Sequence, residues 1–400
     1  AGRIGYYSDR TAGVTTWSST VAGEPGALTV SSAVSLGHPG AGADSDVAGE
    51  TRLSLSGANT AAAGTAHSIS ITSPVRTTTV ATKHAASGVD LSGNRLVYQT
   101  SPAGPPVLYD LRTGRATTIA GAIAAAIWGN YLAYVDADGS VWRRALSGAA
   151  TPVKLRAAVP VRQRAGLTAR VSEYGDDVMW QVVAAQPKTV IHEAYRDAAT
   201  MAPAVSLLGA YAPQAATSDG VLELKDTGTR ADYYLQHYGS SHRTRVLSVA
   251  DTGLLPDAPD GVAVDGGLIA WIDGANRARV APLPVAPTPQ APRYLGDRLA
   301  PTSATPTKKL PWSAFIPMSA AMTACHVQIL AGATVERTLK CAAADAALGD
   351  VSVRWDGRDA AGHKLSPGSY TWRLEAANSA GSALAADGAS NPIQGRITVG

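Results

Sequence analysis

The densest group of chemically capable side chains runs from Tyr233 to Tyr238. Within it, Tyr233, Tyr234, His237 and Tyr238 form a candidate ligand-binding set. Tyrosine rings present flat apolar faces with a polar tip, which suits the face of a sugar or a partner protein's surface. In a strand the same residues would alternate into the core instead. His237 and His242 flank the turn Gly239-Ser240-Ser241, and with Asp232 as a third ligand they could hold a metal. Two solvated loop histidines are the plainer reading, and no metal or cofactor is expected. Asp136 and Asp138 look like the start of a calcium loop, but Trp142, Arg143 and Arg144 follow where more oxygen ligands are needed, so a hairpin turn is expected. Glu173, Asp176 and Asp177 offer paired carboxylates for glycoside chemistry or, more simply, a polar turn between strands.

No nucleophile elbow, zincin, Cys-x-x-Cys, phosphate-loop or dinucleotide pattern accompanies these residues, so no catalytic residue is assigned. The formal net charge of the 400 residues is +3 with no basic run, which argues against nucleic acid as a partner. Hydrophobic residues make up 45% and charged residues 16%, which excludes disorder by composition. The longest apolar stretch, Ala120 to Val135, is broken by Asn130 and falls short of the roughly 18 to 20 residues a membrane helix needs.

The elements that would position such side chains come from a repeat. Segments opening at Gly93, Gly129, Gly175, Gly220 and Gly267 each begin with a glycine turn. An alternating apolar and polar strand, a polar hairpin loop and a second alternating strand follow. A period of about 40 to 47 residues built from short antiparallel strands is the signature of β-propeller blades. In Asn130 to Val135, Tyr131, Ala133 and Val135 share one face and Leu132 and Tyr134 the other. Both faces are apolar, as a blade sandwiched between two others requires. Asp138-Gly139, Thr113-Gly114 and Asp273-Gly274 supply the hairpin turns.

Before Gly93 the pattern is weaker. His67 to Ile71 and Thr77 to Val80 suggest one blade, and Leu28 to Val30 with Arg52 to Leu55 another. Arg3 to Tyr7 is expected to close the ring by pairing with the last blade, giving six or seven blades. His38 to Gly49 reads as a mobile loop.

Prolines crowd the chain from Pro282 to Pro317, which favours extended linker over packed sheet. The expected organisation is a β-propeller over 1–298, a Pro-rich linker over 299–311 and a β-sandwich over 312–400. Cys325 and Cys341, an even and local pair, favour a disulfide over two buried thiols. The run Val351 to Leu365, with Trp355-Asp356-Gly357, Asp359 and Gly362, continues into Gly368, Tyr370 and Trp372. It resembles the Ig-like domain of the flagellar hook-capping protein, a module that recurs at the C-termini of secreted bacterial proteins. The resemblance implies a seven- or eight-stranded sandwich in a structural or adhesive role, with no catalytic residues. The preceding blades resemble secreted β-propellers only generically.

An all-β chain of propeller and Ig-like sandwich is thus expected. A start at Ala1 fits removal of a signal peptide, or trimming, and with the cysteine pair it points to a secreted, extracellular protein. The leading expectation is a non-catalytic binding or adhesion protein recognising a carbohydrate or protein partner at the cell surface. The alternatives are a propeller-type polysaccharide lyase or glycoside hydrolase, and a structural subunit of an extracellular assembly.

Overall fold

The computed structural model describes strands along the whole chain, and loops and side chains for most of residues 89–248 and 288–400, with a few positions before them. The expected loop His38 to Gly49 and the turn Asp273-Gly274 lie outside the described residues.

The N-terminal part consists of short antiparallel sheets in which strands pair with their sequence neighbours, except that Val34–Ser35 pairs with Gly13–Ala22. Blade 1 comprises Arg52–Ser56, Asn59–Ala63, Ser68–Thr72 and Thr77–Ala81. Blade 2 comprises Gly88–Ser92, Arg95–Gln99, Val107–Asp110 and Arg115–Thr118. Blade 3 comprises Ala122–Trp128, Tyr131–Asp136, Val141–Ala145 and Val153–Arg156. Blade 4 comprises Thr168–Tyr174, Asp177–Ala184, Thr189–Asp197 and Val205–Ser206. Blade 5 comprises Ala212–Ala216, Gly220–Asp226, Arg230–His237 and Arg243–Ala250. Blade 6 shows three strands, Val262–Asp265, Leu268–Ile272 and Ala278–Pro282. First strands lie side by side: Gly88–Ser92 beside Ala122–Trp128, that beside Thr168–Tyr174, and that beside Ala212–Ala216. Arg52–Ser56 has the first strands of blades 2 and 6 as neighbours.

Three expectations change. The glycines of the repeat do not open blades; Gly93, Gly129 and Gly175 occupy the two-residue turn between a blade's first and second strands. Each has positive φ (56°, 55° and 62°), and none of the residues after them does, as a type II′ hairpin requires. Gly2–Arg10 pairs with Gly13–Ala22 rather than with the last blade, because a hairpin closes a far shorter loop than a return from the other end of the domain. Thr29–Val30 also joins that hairpin, whereas Arg52–Ser56 pairs within blade 1.

Burial explains the double-sided apolar pattern. Ala133 and Val135 pack with Trp180 and Val182 of blade 4, while Leu132 packs with Val97 and Ile127 on the blade 2 side. Side chains also tie first strands together: Asp90 Oδ2 accepts the Ile127 N–H, Ser92 Oγ the Gly129 N–H and Ser172 Oγ the Ala216 N–H.

The C-terminal domain is a sandwich. One sheet runs Ser303–Ala304, Ile393–Val399, Gly368–Asn378, Ala324–Ala331 and Thr334–Lys340, with Gly381–Ser382 added to Gly368–Asn378. The other pairs Trp312–Pro317 with Asp350–Trp355. Trp312, Trp355, Trp372 and Val327 fill the space between the sheets. The Trp355 indole N–H donates to the Arg358 carbonyl and the Tyr370 hydroxyl to the Ser366 carbonyl, so both rings bury without losing their polar ends. Ser303–Ala304 runs parallel to Ile393–Val399, so the stretch expected as linker carries a strand of the sandwich. Cys325 and Cys341 form a disulfide with Cα atoms 5.5 Å apart, across the open end of the Ala324–Ala331/Thr334–Lys340 hairpin.

Candidate functional site

The strand Arg230–His237 sends the sequence-nominated residues in different directions. Tyr233, only 2% exposed, is buried on the face away from blade 4, and burial pushes its hydroxyl up to about 12. Tyr234 lies on the opposite face, opposite Glu223 in register, with its ring edge-on to Tyr211 at 5.1 Å. Tyr238 follows the strand. Its ring packs on Tyr195 at 4.8 Å, and its hydroxyl donates to the Thr217 carbonyl. The His237 and His242 rings stack 6.5 Å apart. Asp232 is five residues up the strand from His237, roughly 16 Å at a strand's rise, and its carboxylate accepts the Ser248 hydroxyl. Among the described residues no three His, Cys, Asp or Glu side chains gather as a metal site. Asp138 is likewise engaged locally: its Oδ1 accepts the Ser140 N–H and hydroxyl, and Gly139 (φ 76°) closes the turn.

One end of the blades is occupied by the chain itself. Residues 288–296 cross the turns between first and second strands. The Thr288 N–H donates to Asp219 Oδ1, and Gln290 Nε2 donates to the Ser218 carbonyl. The Arg293 guanidinium sits 3.8 Å from Asp176 and 4.8 Å from the centre of the Trp128 ring. A Cβ on Gly93 would meet the Leu295 carbonyl at 1.9 Å, so only glycine allows this approach. The same segment is stitched to the sandwich by backbone bonds from Tyr294 to Leu384, Leu295 to Pro317 and Ser319 to Arg293. It therefore straps the sandwich to the turn face, where His237 and Tyr238 also lie.

Beneath the strap is an ion-pair network. Arg143 donates to Glu173 at 2.6 Å, to Asp176 at 3.0 Å and to the Gly175 carbonyl, with its guanidinium over Tyr131 at 3.8 Å. Glu173 and Asp176 thus hold blade 3 to blade 4 rather than facing a substrate. Burial raises Glu173 to about 7 against the pull of Arg143; burial, with Asp197 and Asp176 nearby, raises Asp177 to about 7.

A second polar group lies in the seam between blades 4 and 5. Glu193 and Glu223 both face this seam, 4% and 0% exposed. Glu223 pairs with Arg243 at 2.5 Å, and that guanidinium lies over Tyr211 at 4.5 Å. Glu193 accepts only a long bond from Gln181 (3.4 Å), and its Oε1 has no partner. Burial, reinforced by Glu223, raises it to about 7.

The opposite end of the blades carries the loop from 157 to 167, which joins the last strand of blade 3 to the first of blade 4. The Val159 N–H donates to the Asp138 carbonyl and Arg164 Nε to the Val159 carbonyl, so the loop is anchored on the 136–140 hairpin. A single 3-10 turn, Val161–Gln163, tops it. Val161 is 77% exposed, Val153 43% and Val190 40%. Lys154 lies over the Trp142 ring at 4.3 Å, and Trp142 Nε1 donates to Ser140. Sequence reasoning passed over this loop because Pro160-Val161-Arg162 carries no catalytic motif.

One family model matches the C-terminal domain. Residues 310–380 match the FlgD Ig-like domain. No curated protein matches the chain in sequence. Solved structures similar to it include a nidogen/laminin complex at 12% identity, with 70% of this chain and 93% of that chain covered and a TM-score of 0.35. The computationally designed protein Ika8 is similar at 12% identity over 70% and 96%, with a TM-score of 0.38. The Cps50 (Swd1) β-propeller domain of Myceliophteria thermophila is similar at 10% identity over 60% and 88%, with a TM-score of 0.34. Such scores carry no argument about a site.

Proposed function

We propose that this chain is a secreted, non-catalytic binding protein. Its propeller recognises a carbohydrate or protein partner at the cell surface, and its FlgD-like sandwich is the attached carrier. The observation that carries the reading is the strap: every described bond from residues 288–296 to the propeller lands at the turn face, around Gly93, Trp128, Asp176 and Ser218-Asp219. That engages one face of the propeller with the chain's own sandwich and leaves the face bearing the 136–140 and 157–167 loops for a partner. The disulfide supports an oxidising compartment.

The test is a screen of the purified protein against a glycan array and immobilised extracellular proteins, with and without EDTA. A specific, EDTA-insensitive hit lost on substituting residues of the 157–167 loop supports the reading. A hit lost only on substituting His237 or Tyr238 contradicts it.

A second reading has one observation in its favour. Glu193, raised to about 7, and Glu223, held by Arg243, form a pair of carboxyls in unlike environments, as a glycoside hydrolase uses. Both are buried, so a substrate reaches them only if the blades part. Release of reducing ends from a glycan, abolished by Glu193→Gln, would establish it.

A further inference from the structure

Residues 301–307 read Pro-Thr-Ser-Ala-Thr-Pro-Thr, with four hydroxyl side chains in seven positions and a proline at two others. Proline fixes φ and withholds a donor, so the stretch is extended rather than folded on itself. It is clamped on both sides. The Trp312 indole N–H donates to the Pro301 carbonyl at 2.9 Å. Pro306 is buried, and its carbonyl oxygen lies where a Cβ on Gly357 would approach to 2.9 Å. Between the clamps the Thr302 carbonyl accepts the Thr398 N–H, and the Ala304 carbonyl accepts the Gly400 N–H. Ser303–Ala304 is thereby the outermost strand on this edge of the sandwich sheet.

What this clamped edge presents is hydroxyls. Thr302, Ser303 and Thr305 are exposed, and none of their side chains bonds to another described residue. Thr307 is exposed as well, but its hydroxyl accepts the Leu310 N–H. The exposed Thr117 and Thr118 of blade 2 differ, because they lie on a paired strand with no proline beside them. No acidic residue stands between Asp297 and Glu336, and the charges that follow the stretch are the exposed Lys308 and Lys309. Nothing here repels a phosphate-bearing reagent. Ser and Thr spaced by proline in an extended chain are the composition of O-glycosylated stalks. The fold adds a fixed backbone and hydroxyls with no competing protein partner.

We propose that Thr302, Ser303 and Thr305 are O-glycosylation sites. The donor is a nucleotide- or lipid-linked sugar phosphate. The side-chain oxygen attacks the anomeric carbon of the sugar, and that bond forms as the bond from carbon to the phosphate oxygen breaks. The phosphate leaves with the electron pair, and the hydroxyl proton passes to the transferase. Sugars at these positions stand beside the free edge of the sheet, where they also block pairing with another chain. The inference rests on the reading that the chain is secreted.

The experiment takes the whole chain from the cells that make it, from medium and cell fractions separately. Mass spectrometry then reads the tryptic fragment Leu299–Lys308, with fragmentation that keeps side-chain groups in place. A variant combining Thr302→Val, Ser303→Ala and Thr305→Val is made in the same cells, and a thermal melt checks that it folds alike. The fragment from the medium is expected to exceed its sequence mass by whole sugar residues placed on 302, 303 or 305. The excess should be lost on mild alkaline β-elimination and be absent from the variant. A phosphate increment, sugar on Thr307 alone, or an increment kept by the variant would overturn the inference. An unmodified fragment in chain recovered from the medium would overturn it too, and would leave the secreted reading standing. Chain found only inside the cells, unmodified, would remove both.

Discussion

Arg293 and Asp176 meet across the boundary between sandwich and propeller, 3.8 Å apart, with Arg293 also covering Trp128. A half-buried pair of this kind contributes about 1 kcal/mol, and stacking on an indole adds a similar amount. Arg293→Ala should therefore leave both domains folded but loosen the strap. Limited proteolysis would show this as faster cutting between residues 281 and 317, and an unchanged cutting rate would argue against the strap.

Gly93 makes a sharper test. Alanine there places Cβ against the Leu295 carbonyl and forces a non-glycine residue to φ 56°. Gly93→Ala should cost about 2 kcal/mol or more, read as a lower melting temperature. Gly175→Ala shares the backbone cost but meets nothing within 4 Å, so it should cost less.

Arg143 is the only described cation bonded to the fully buried Glu173. Glu173, raised to about 7 even beside Arg143, takes up a proton once the guanidinium is gone, so Arg143→Ala should cost about 1–3 kcal/mol in a denaturant melt, more at pH 8 than at pH 6. Arg143→Met combined with Glu173→Leu removes both charges and should recover much of that loss.

Stability should fall from mildly acid to mildly alkaline pH. Glu173, Asp177 and Glu193 keep protons up to about 7 in the folded chain, whereas in the unfolded chain they release them near 4. Their contribution is fully present below the unfolded value and is lost as pH rises to about 7. His192, lowered to about 4 by burial, works the other way: its contribution is present above 6.5 and is lost as pH falls toward 4. Three carboxyls oppose one imidazole, so the melting temperature should be higher near pH 5.5 than near pH 8. Glu193→Gln should flatten the slope.

Reducing the Cys325–Cys341 bond should destabilise the sandwich by about 3 kcal/mol, as expected for a loop of this size. Calorimetry with and without reductant should show the loss confined to one transition.

Much of the architecture was legible because it depends on alternation and turns. Tyr131 to Val135 declares two apolar faces, and Trp355-Asp356-Gly357 with Tyr370 and Trp372 marks the sandwich. The frame of the repeat slipped by one strand because Gly93, Gly129 and Gly175 advertise a turn without saying which turn of the blade it is. The strap was not legible: prolines around Arg293 read as linker, and nothing local reveals that Asp176 and Trp128 await it. The aromatic run divides for a related reason. Tyr233 and Tyr234 are adjacent in sequence, yet strand geometry sends them to opposite faces.

The most direct measurement compares partner binding by two sets of variants of the intact protein. One set, Val161→Asp and Arg162→Glu, alters the free face; the other, His237→Ala and Gln290→Ala, alters the strapped face. Binding to hits from the glycan and protein screen should be lost in the first set and kept in the second. Loss in the second set alone, or turnover of a bound glycan, would contradict a non-catalytic binding protein that works through the face opposite its sandwich.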